Sequence, residues 1–276
     1  MLTIIEVLKA ILFGVVEGIT EWLPISSTGH MILLDEFVKL NVSKEFLDLF
    51  LVVIQLGAIL AVVVIYWNKL IPLSTKHGLH ISRRKCKMWV KIIVASIPAG
   101  VVGILWDDVF TEYFYNYQTV AIMLILVGIV FIFVERANKN KVARVDSIDD
   151  ISYGQAFMIG VFQMIAAIFP GTSRSGSTIV GSLMLGISRT AAAEFTFFLA
   201  VPAMFGGSAI KILKYSGGFN SAEVALLAIG MIVAFVLSII AIKFLMSYIK
   251  KHDFKVFGWY RIVLGILVLL YFFVSK

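Results

Sequence analysis

An all-α polytopic membrane protein is the fold class this sequence predicts, and three observations predict it. Sixty per cent of its 276 residues are hydrophobic and 15% are charged, against roughly half and a quarter in a soluble domain. Apolar stretches of the length a helix needs to cross a hydrocarbon core, about 20 residues, recur from end to end. Two further apolar regions repeat one another in ordered detail. The expected architecture is a single integral domain, 1–276, built from two inverted-topology repeats of about 1–134 and 151–276. Each repeat is one re-entrant broken-helix hairpin plus three transmembrane helices.

In chain order, the region Leu2 to Leu34 is apolar but interrupted at Pro24, which predicts two half-helices. Spans follow at Leu47 to Trp67, Trp89 to Trp106 and Tyr117 to Val134. A second interrupted region, Tyr153 to Gly186, breaks at Pro170-Gly171. Spans then run over Ala191 to Leu213, Val224 to Ser247 and Phe257 to Val274. Met1 to Ala10 carries Glu6 and Lys9 and lacks both a basic leader and a small-residue cleavage site, so it is not read as a removable signal. The single cysteine, Cys86, sits in a basic gap and rules out an intrachain disulfide or a cysteine metal cluster. The abundant phenylalanine and methionine read as lipid-facing filler, and Gln55 as a polar bond between helices.

Basic residues set the orientation. The formal charge of +7 is spread over short gaps between apolar runs, which excludes nucleic-acid binding and suits membrane orientation signals. Lys69, Lys76, Arg83, Arg84, Lys85, Lys87 and Lys91 fall in one gap, predicted cytoplasmic. Asp107 to Asn116 holds three acids and no base, and is predicted outside. Arg136, Lys139, Lys141 and Arg144 then fall inside, Lys214 outside, and Lys250, Lys251 and Lys255 inside. This alternation makes the first interrupted region enter and leave from outside and the second from inside.

The repeat pairs Gly14, Glu17, Pro24, Ser26 and Ser27 with Gly160, Gln163, Pro170, Thr172 and Ser173. After a one-residue slip, Ser43, Lys44 and Phe50 pair with Ser188, Arg189 and Phe195. An odd number of crossings per repeat inverts the second half, and inverted repeats with broken helices place a binding site near the midplane where the repeats meet.

The chemistry-bearing residues cluster at the two breaks. Glu17 and Glu21, four apart, lie on one helix face. Pro24 then ends that helix, Ser26 or Ser27 is suited to cap the next, and His30 can return over the same face as Ser27. At the second break, Pro170-Gly171-Thr172-Ser173-Arg174-Ser175-Gly176-Ser177-Thr178 offers unpaired amides at a helix start together with a guanidinium, a combination suited to an anion. Intramembrane acids and arginines are expensive and usually functional. Glu17, Glu21 and Arg174 are therefore read as functional, with His30 tipped that way by its spacing from Ser27. For Ser26, Ser27, Ser173 and Thr178 taken singly, bonding to backbone groups freed at the breaks is an equal alternative. His77, His80 and His252 lie in basic gaps and read as solvated loop residues.

The stretch Glu-Gly-Ile-Thr-Glu-Trp-Leu-Pro-Ile-Ser-Ser-Thr-Gly-His at 17–30 and Pro-Gly-Thr-Ser-Arg-Ser-Gly at 170–176 resemble the signatures of the undecaprenyl pyrophosphate phosphatase family, also called the bacitracin resistance protein family. The resemblance covers nearly the whole chain. It implies hydrolysis of undecaprenyl pyrophosphate to the monophosphate, recycling the lipid carrier of cell-wall synthesis, with a divalent cation, Mg²⁺ or Ca²⁺. The implied location is the bacterial cytoplasmic membrane, with the active site opening to its outer face. By position, Glu17, Glu21, Ser27, His30 and Arg174 match the family's functional residues. Ser26, Thr28, Gly171, Ser173, Ser175, Gly176 and Thr178 would contact substrate, and Glu17 and Glu21 would hold the metal. The expected partners are a polyprenyl pyrophosphate and the bilayer, with a homodimer left open.

Two routes remain at this level. Ser27 attacks with His30 as its base, the preferred scheme, or an activated water attacks directly. The rival class is a lipid transporter, because broken helices in inverted repeats are also a transporter device.

Overall fold

The computed structural model describes residues 3–74 and 80–274; Met1, Leu2, Lys76 and His77 lie outside the described residues. Both interrupted regions fold as helix, break, helix. The first gives α1 (Ile4–Thr20) and α2 (Ser27–Phe37), and the second α7 (Tyr153–Ile168) and α8 (Arg174–Met184). Between them run α3 (Lys44–Ile65), the short α4 (Trp67–Leu70), α5 (Arg83–Phe114) and α6 (Tyr117–Ala137). After them come α9 (Arg189–Lys214), α10 (Ser221–Tyr248) and α11 (Lys255–Val274). Before α5, Leu73–Ser74 pairs antiparallel with His80–Ile81.

Among the described residues six helices are long and apolar enough to cross a membrane: α3, α5 as far as Trp106, α6, α9, α10 and α11. The chain is therefore a multi-pass all-α membrane protein. Side-chain caps set many of the starts, because the first turn of a helix leaves amides without partners. Ser43, Asn116 and Ser188 accept from the amide three residues on, while Ser152 with Gln155 and Asn220 with Glu223 form reciprocal capping boxes. Both expected boundaries of α5 move: it starts at Arg83, within the basic gap, and runs past Trp106. The acidic stretch after Trp106 is not a loop, since α5 continues to Phe114. No proline or glycine interrupts residues 107–114, so nothing local stops the helix before Asn116 caps α6.

Packing treats the two halves alike. α1 lies along α10 and α7 lies along α5, while α6 pairs with α11 and α3 with α9. Small residues permit the first two contacts. A Cβ on Gly14 of α1 would sit 2.7 Å from the Gly230 carbonyl oxygen of α10, and one on Gly160 of α7 would sit 2.2 Å from that of Ala95 on α5.

The reading of phenylalanine as lipid-facing filler holds for only part of these residues. Phe13, Phe46, Phe50, Phe131, Phe195, Phe197, Phe198 and Phe254 are fully buried. Helix α9 has α3, α5 and α8 around it, so even neighbouring residues on different faces of α9 find a protein partner. Ile104, Phe133 and Val263 are exposed on the outside of the bundle, as that reading expects.

The basic gaps meet at one end of the bundle. Arg84 pairs with Asp149, Lys91 Nζ donates to the Asp149 carbonyl at 2.6 Å, and Lys69 pairs with Glu194. Arg189 grips the buried Glu135 with two bonds, of 2.9 and 2.5 Å, and Glu135 also accepts from the amide of Phe254 at 2.9 Å. Segments predicted to share one face of the membrane thus touch one another.

Candidate active site

The two breaks are built on the same backbone device. Ser26, before α2, has φ 74°, and Ser173, before α8, has φ 70°. Non-glycine residues rarely adopt this region, at a cost of about 1–3 kcal/mol. In each case the hydroxyl accepts from an amide three residues on, Ser26 from Gly29 at 3.3 Å and Ser173 from Gly176 at 3.1 Å. The equivalence is Ser26 with Ser173, one position away from the sequence alignment, which paired Ser27 with Ser173. That offset has a consequence: Ser27 in the first break matches Arg174 in the second. Gly171, with φ +90°, passes so close to α6 that a Cβ would lie 2.5 Å from the Val120 carbonyl oxygen.

Both breaks open onto one cavity of about 210 Å³. Its wall includes Glu21, Ser27 and Thr28 from the first, Pro170, Gly171, Ser173, Arg174 and Ser175 from the second, and Gln55, Gly207 and Ser208 from α3 and α9. Gln55 therefore faces the cavity, a position hydropathy alone could not separate from a helix-to-helix bond. Across the cavity, Arg174 Nη2 donates to Glu21 Oε1 at 2.8 Å, with both side chains largely buried. Its Nη1 donates to the Thr196 carbonyl at 3.3 Å. On the other side of the same carboxylate, Ser27 Oγ donates to Glu21 Oε2 at 2.5 Å. Ser175 Oγ donates to the Glu21 carbonyl at 3.3 Å and lies 3.1 Å from Ser173 Oγ.

The hydroxyls separate into two groups. Ser26, Ser173 and Thr178 bond backbone: Thr178 Oγ1 lies 2.9 Å from the Arg174 carbonyl and 2.9 Å from Thr196 Oγ1. Ser27 instead bonds a carboxylate, and Thr28 lines the cavity. Glu17 is completely buried, and neither carboxyl oxygen has a hydrogen-bond partner among the described residues. His30 does not meet Ser27. Its Nδ1 is 2.7 Å from the Ser26 carbonyl oxygen and its Nε2 is 2.7 Å from the Tyr260 hydroxyl. The expected Ser27–His30 pair is thus replaced by Ser27–Glu21, because the α2 turn aims the imidazole back at the break and across to α11.

Arg261 was missed by sequence reasoning. It is fully buried on α11 and donates to the carbonyls of Pro24 at 3.3 Å, Gly171 at 2.8 Å and Thr172 at 2.8 Å. One guanidinium therefore ties both breaks together and satisfies carbonyls that the broken helices leave open. The rule applied to Arg174, that an arginine among apolar neighbours is expensive unless employed, would have found it.

The bacitracin resistance protein BacA family matches residues 10–267 of the chain. The undecaprenyl-diphosphatase of Desulfitobacterium hafniense is 65% identical over 271 residues, covering 98% of each chain. Undecaprenyl-diphosphatase 1 of Clostridium acetobutylicum is 61% identical over 270 residues, and an undecaprenyl-diphosphatase of Enterococcus faecalis is 59% identical over 271, again with 98% of each chain covered.

Proposed function

The chain belongs to the bacitracin resistance protein family, and from that premise we propose that it hydrolyses undecaprenyl pyrophosphate to undecaprenyl phosphate and inorganic phosphate. This activity recycles the lipid carrier of cell-wall synthesis and confers bacitracin resistance. The observation that carries the reading at the level of the site is the meeting of Arg174 from one break with Glu21 and Ser27 from the other in a single cavity. A long-chain lipid pyrophosphate needs its tail in hydrocarbon and its head among fixed donors, and a cavity between broken helices provides both.

In this reading Arg174 holds the terminal phosphate as a planar fork, supported by the α8 amides and the hydroxyls of Ser173 and Ser175. Ser27 Oγ forms the bond to the terminal phosphorus as the bond to the bridging oxygen breaks. The electron pair leaves with undecaprenyl phosphate, and the hydroxyl proton passes to Glu21, which already accepts it at 2.5 Å. Water then cleaves the phosphoserine and releases inorganic phosphate.

The buried, unpartnered oxygens of Glu17 suit a divalent cation, and Glu17 with Glu21, one helical turn on, would hold Mg²⁺ or Ca²⁺ there. Among the described residues no three or more His, Cys, Asp or Glu side chains gather to hold an ion. When bound, such an ion supplies charge neutralisation to the leaving phosphate.

In the membrane, α1–α2 and α7–α8 are re-entrant hairpins entering from opposite faces in two inverted repeats, and the site opens to the outer face of the cytoplasmic membrane. Support comes from the basic gaps sharing one end of the bundle, and from Phe169 at the second break packing on Phe114 at the far end of α5, with centroids 4.9 Å apart. In a Cys86→Ser background, a cysteine replacing Asn116 should react with impermeant reagent in intact cells and one replacing Arg84 should not. The reverse pattern overturns the topology.

Phosphate release from the lipid pyrophosphate by purified protein in detergent, with and without chelator, tests the activity. A transporter has no two sides to work between in detergent. Absence of phosphate release there would favour the transporter reading.

A further inference from the structure

Both ring nitrogens of His30 are engaged, and neither by Ser27. A carbonyl oxygen can only accept, so the contact of 2.7 Å between Nδ1 and the Ser26 carbonyl places a proton on Nδ1. In the neutral ring Nε2 is then a bare lone pair, and the Tyr260 hydroxyl at 2.7 Å is its donor. The two rings lie within 6° of parallel. Tyr260 comes from α11, and the next residue, Arg261, is anchored on carbonyls of both breaks. The phenol is therefore held in register with the site by the guanidinium beside it.

We propose that Tyr260 is a positioning residue that acts through His30, fixing the imidazole in its Nδ1–H tautomer with Nε2 as the accepting atom. The tautomer of a histidine is set by the bond its other nitrogen makes. Here the Ser26 carbonyl and the Tyr260 hydroxyl specify the same answer from two sides. Without the phenol, Nε2 loses its donor and the ring loses one of its two fixed points. This inference rests on the family resemblance that places His30 among the functional residues, since neither the cavity wall nor the Ser27–Glu21 step includes it, and it assigns the accepting role to a nitrogen that Ser27 does not touch.

Two measurements test it. Tyr260→Phe should lower kcat roughly ten-fold, the lower end of what losing an orienting partner costs a metal-ligating histidine, with little change in KM. In a His30→Ala background the same substitution should change kcat by less than about two-fold, because residues acting as one unit are not additive. An equal loss in both backgrounds, or no loss in either, overturns the proposal. ¹⁵N spectra of histidine-labelled protein in detergent, with His30 assigned from the His30→Ala variant, should show a protonated Nδ1 and a hydrogen-bonded, unprotonated Nε2. That Nε2 signal should shift in Tyr260→Phe. A protonated Nε2 in the neutral ring, or an unshifted signal in the variant, also overturns it. Since the spectra need no turnover, the expected tautomer in protein that releases no phosphate would support this inference and sink the phosphatase reading.

Discussion

The first and second breaks share a backbone and divide a chemistry. Each places a serine at positive φ and uses its hydroxyl to cap the following helix on a glycine amide. What each hangs on that frame differs. The first presents Glu17, Glu21, Ser27 and His30, while the second presents Arg174 and hydroxyls, with Gln163 where the first has Glu17. Repeat symmetry therefore specifies where side chains project, and the departures from symmetry specify what reacts. The proposed base, nucleophile and metal donors lie in one half and the Arg174 guanidinium in the other, so on that reading neither half is a site alone.

The sharpest test of that division is the position where Ser27 matches Arg174. If Ser27 is the nucleophile, Ser27→Ala should lose more than about 10³-fold in kcat, as loss of a nucleophile does. Acid quenching with substrate labelled in its terminal phosphate should trap phosphoserine on the Ser27 peptide of the unaltered protein. A variant slowed only about 10²-fold, with no phosphoserine at any quench time, would point to a water nucleophile and a donor role for Ser27.

Arg174→Lys probes the cationic half without orphaning Glu21, since the charge is kept. Lysine cannot copy the planar fork, so kcat/KM for phosphate release should fall about 10²-fold while the protein still inserts and purifies. Near-normal turnover would reduce the second break to a point charge.

Glu17→Gln writes the second half's residue into the first. Activity should drop about ten-fold or more, and half-maximal activity should need a higher divalent cation concentration. Stability in detergent should hold or rise, because an unpartnered buried carboxyl is costly. The reciprocal change, Gln163→Glu, buries a charge where Gln163 already has an unpartnered oxygen, so its melting temperature should fall. Unchanged cation dependence in Glu17→Gln would remove Glu17 from the metal.

The smallest effects belong to the shared frame. Ser26→Ala and Ser173→Ala each lose a cap and keep an unfavourable φ, costing about 1 kcal/mol. Glycine at either position loses the cap but accepts the φ, and should cost only a few tenths of a kcal/mol. Thermal unfolding in detergent measures both, and matched values at the two positions are the expected result. A large mismatch would mean that the two breaks are alike in shape only.

Local physics made much of this molecule legible from its residues. Hydrophobic length marks the six helices long enough to cross a membrane, because it acts within a few residues along the chain. The cost of charge in hydrocarbon singled out Glu17, Glu21 and Arg174 before any contact was known. Tertiary structure decided the pairings. Glu21 meets Arg174 across 153 positions and His30 meets Tyr260 across 230, and Arg261 reaches back from α11 to close both breaks. Ser27 facing Glu21 instead of His30, and Gln55 facing the cavity, follow from how α2, α3 and α11 pack. Hydropathy is a sum over neighbours in sequence, whereas a proton's partner is set by distances of under 3 Å between helices brought together only by folding.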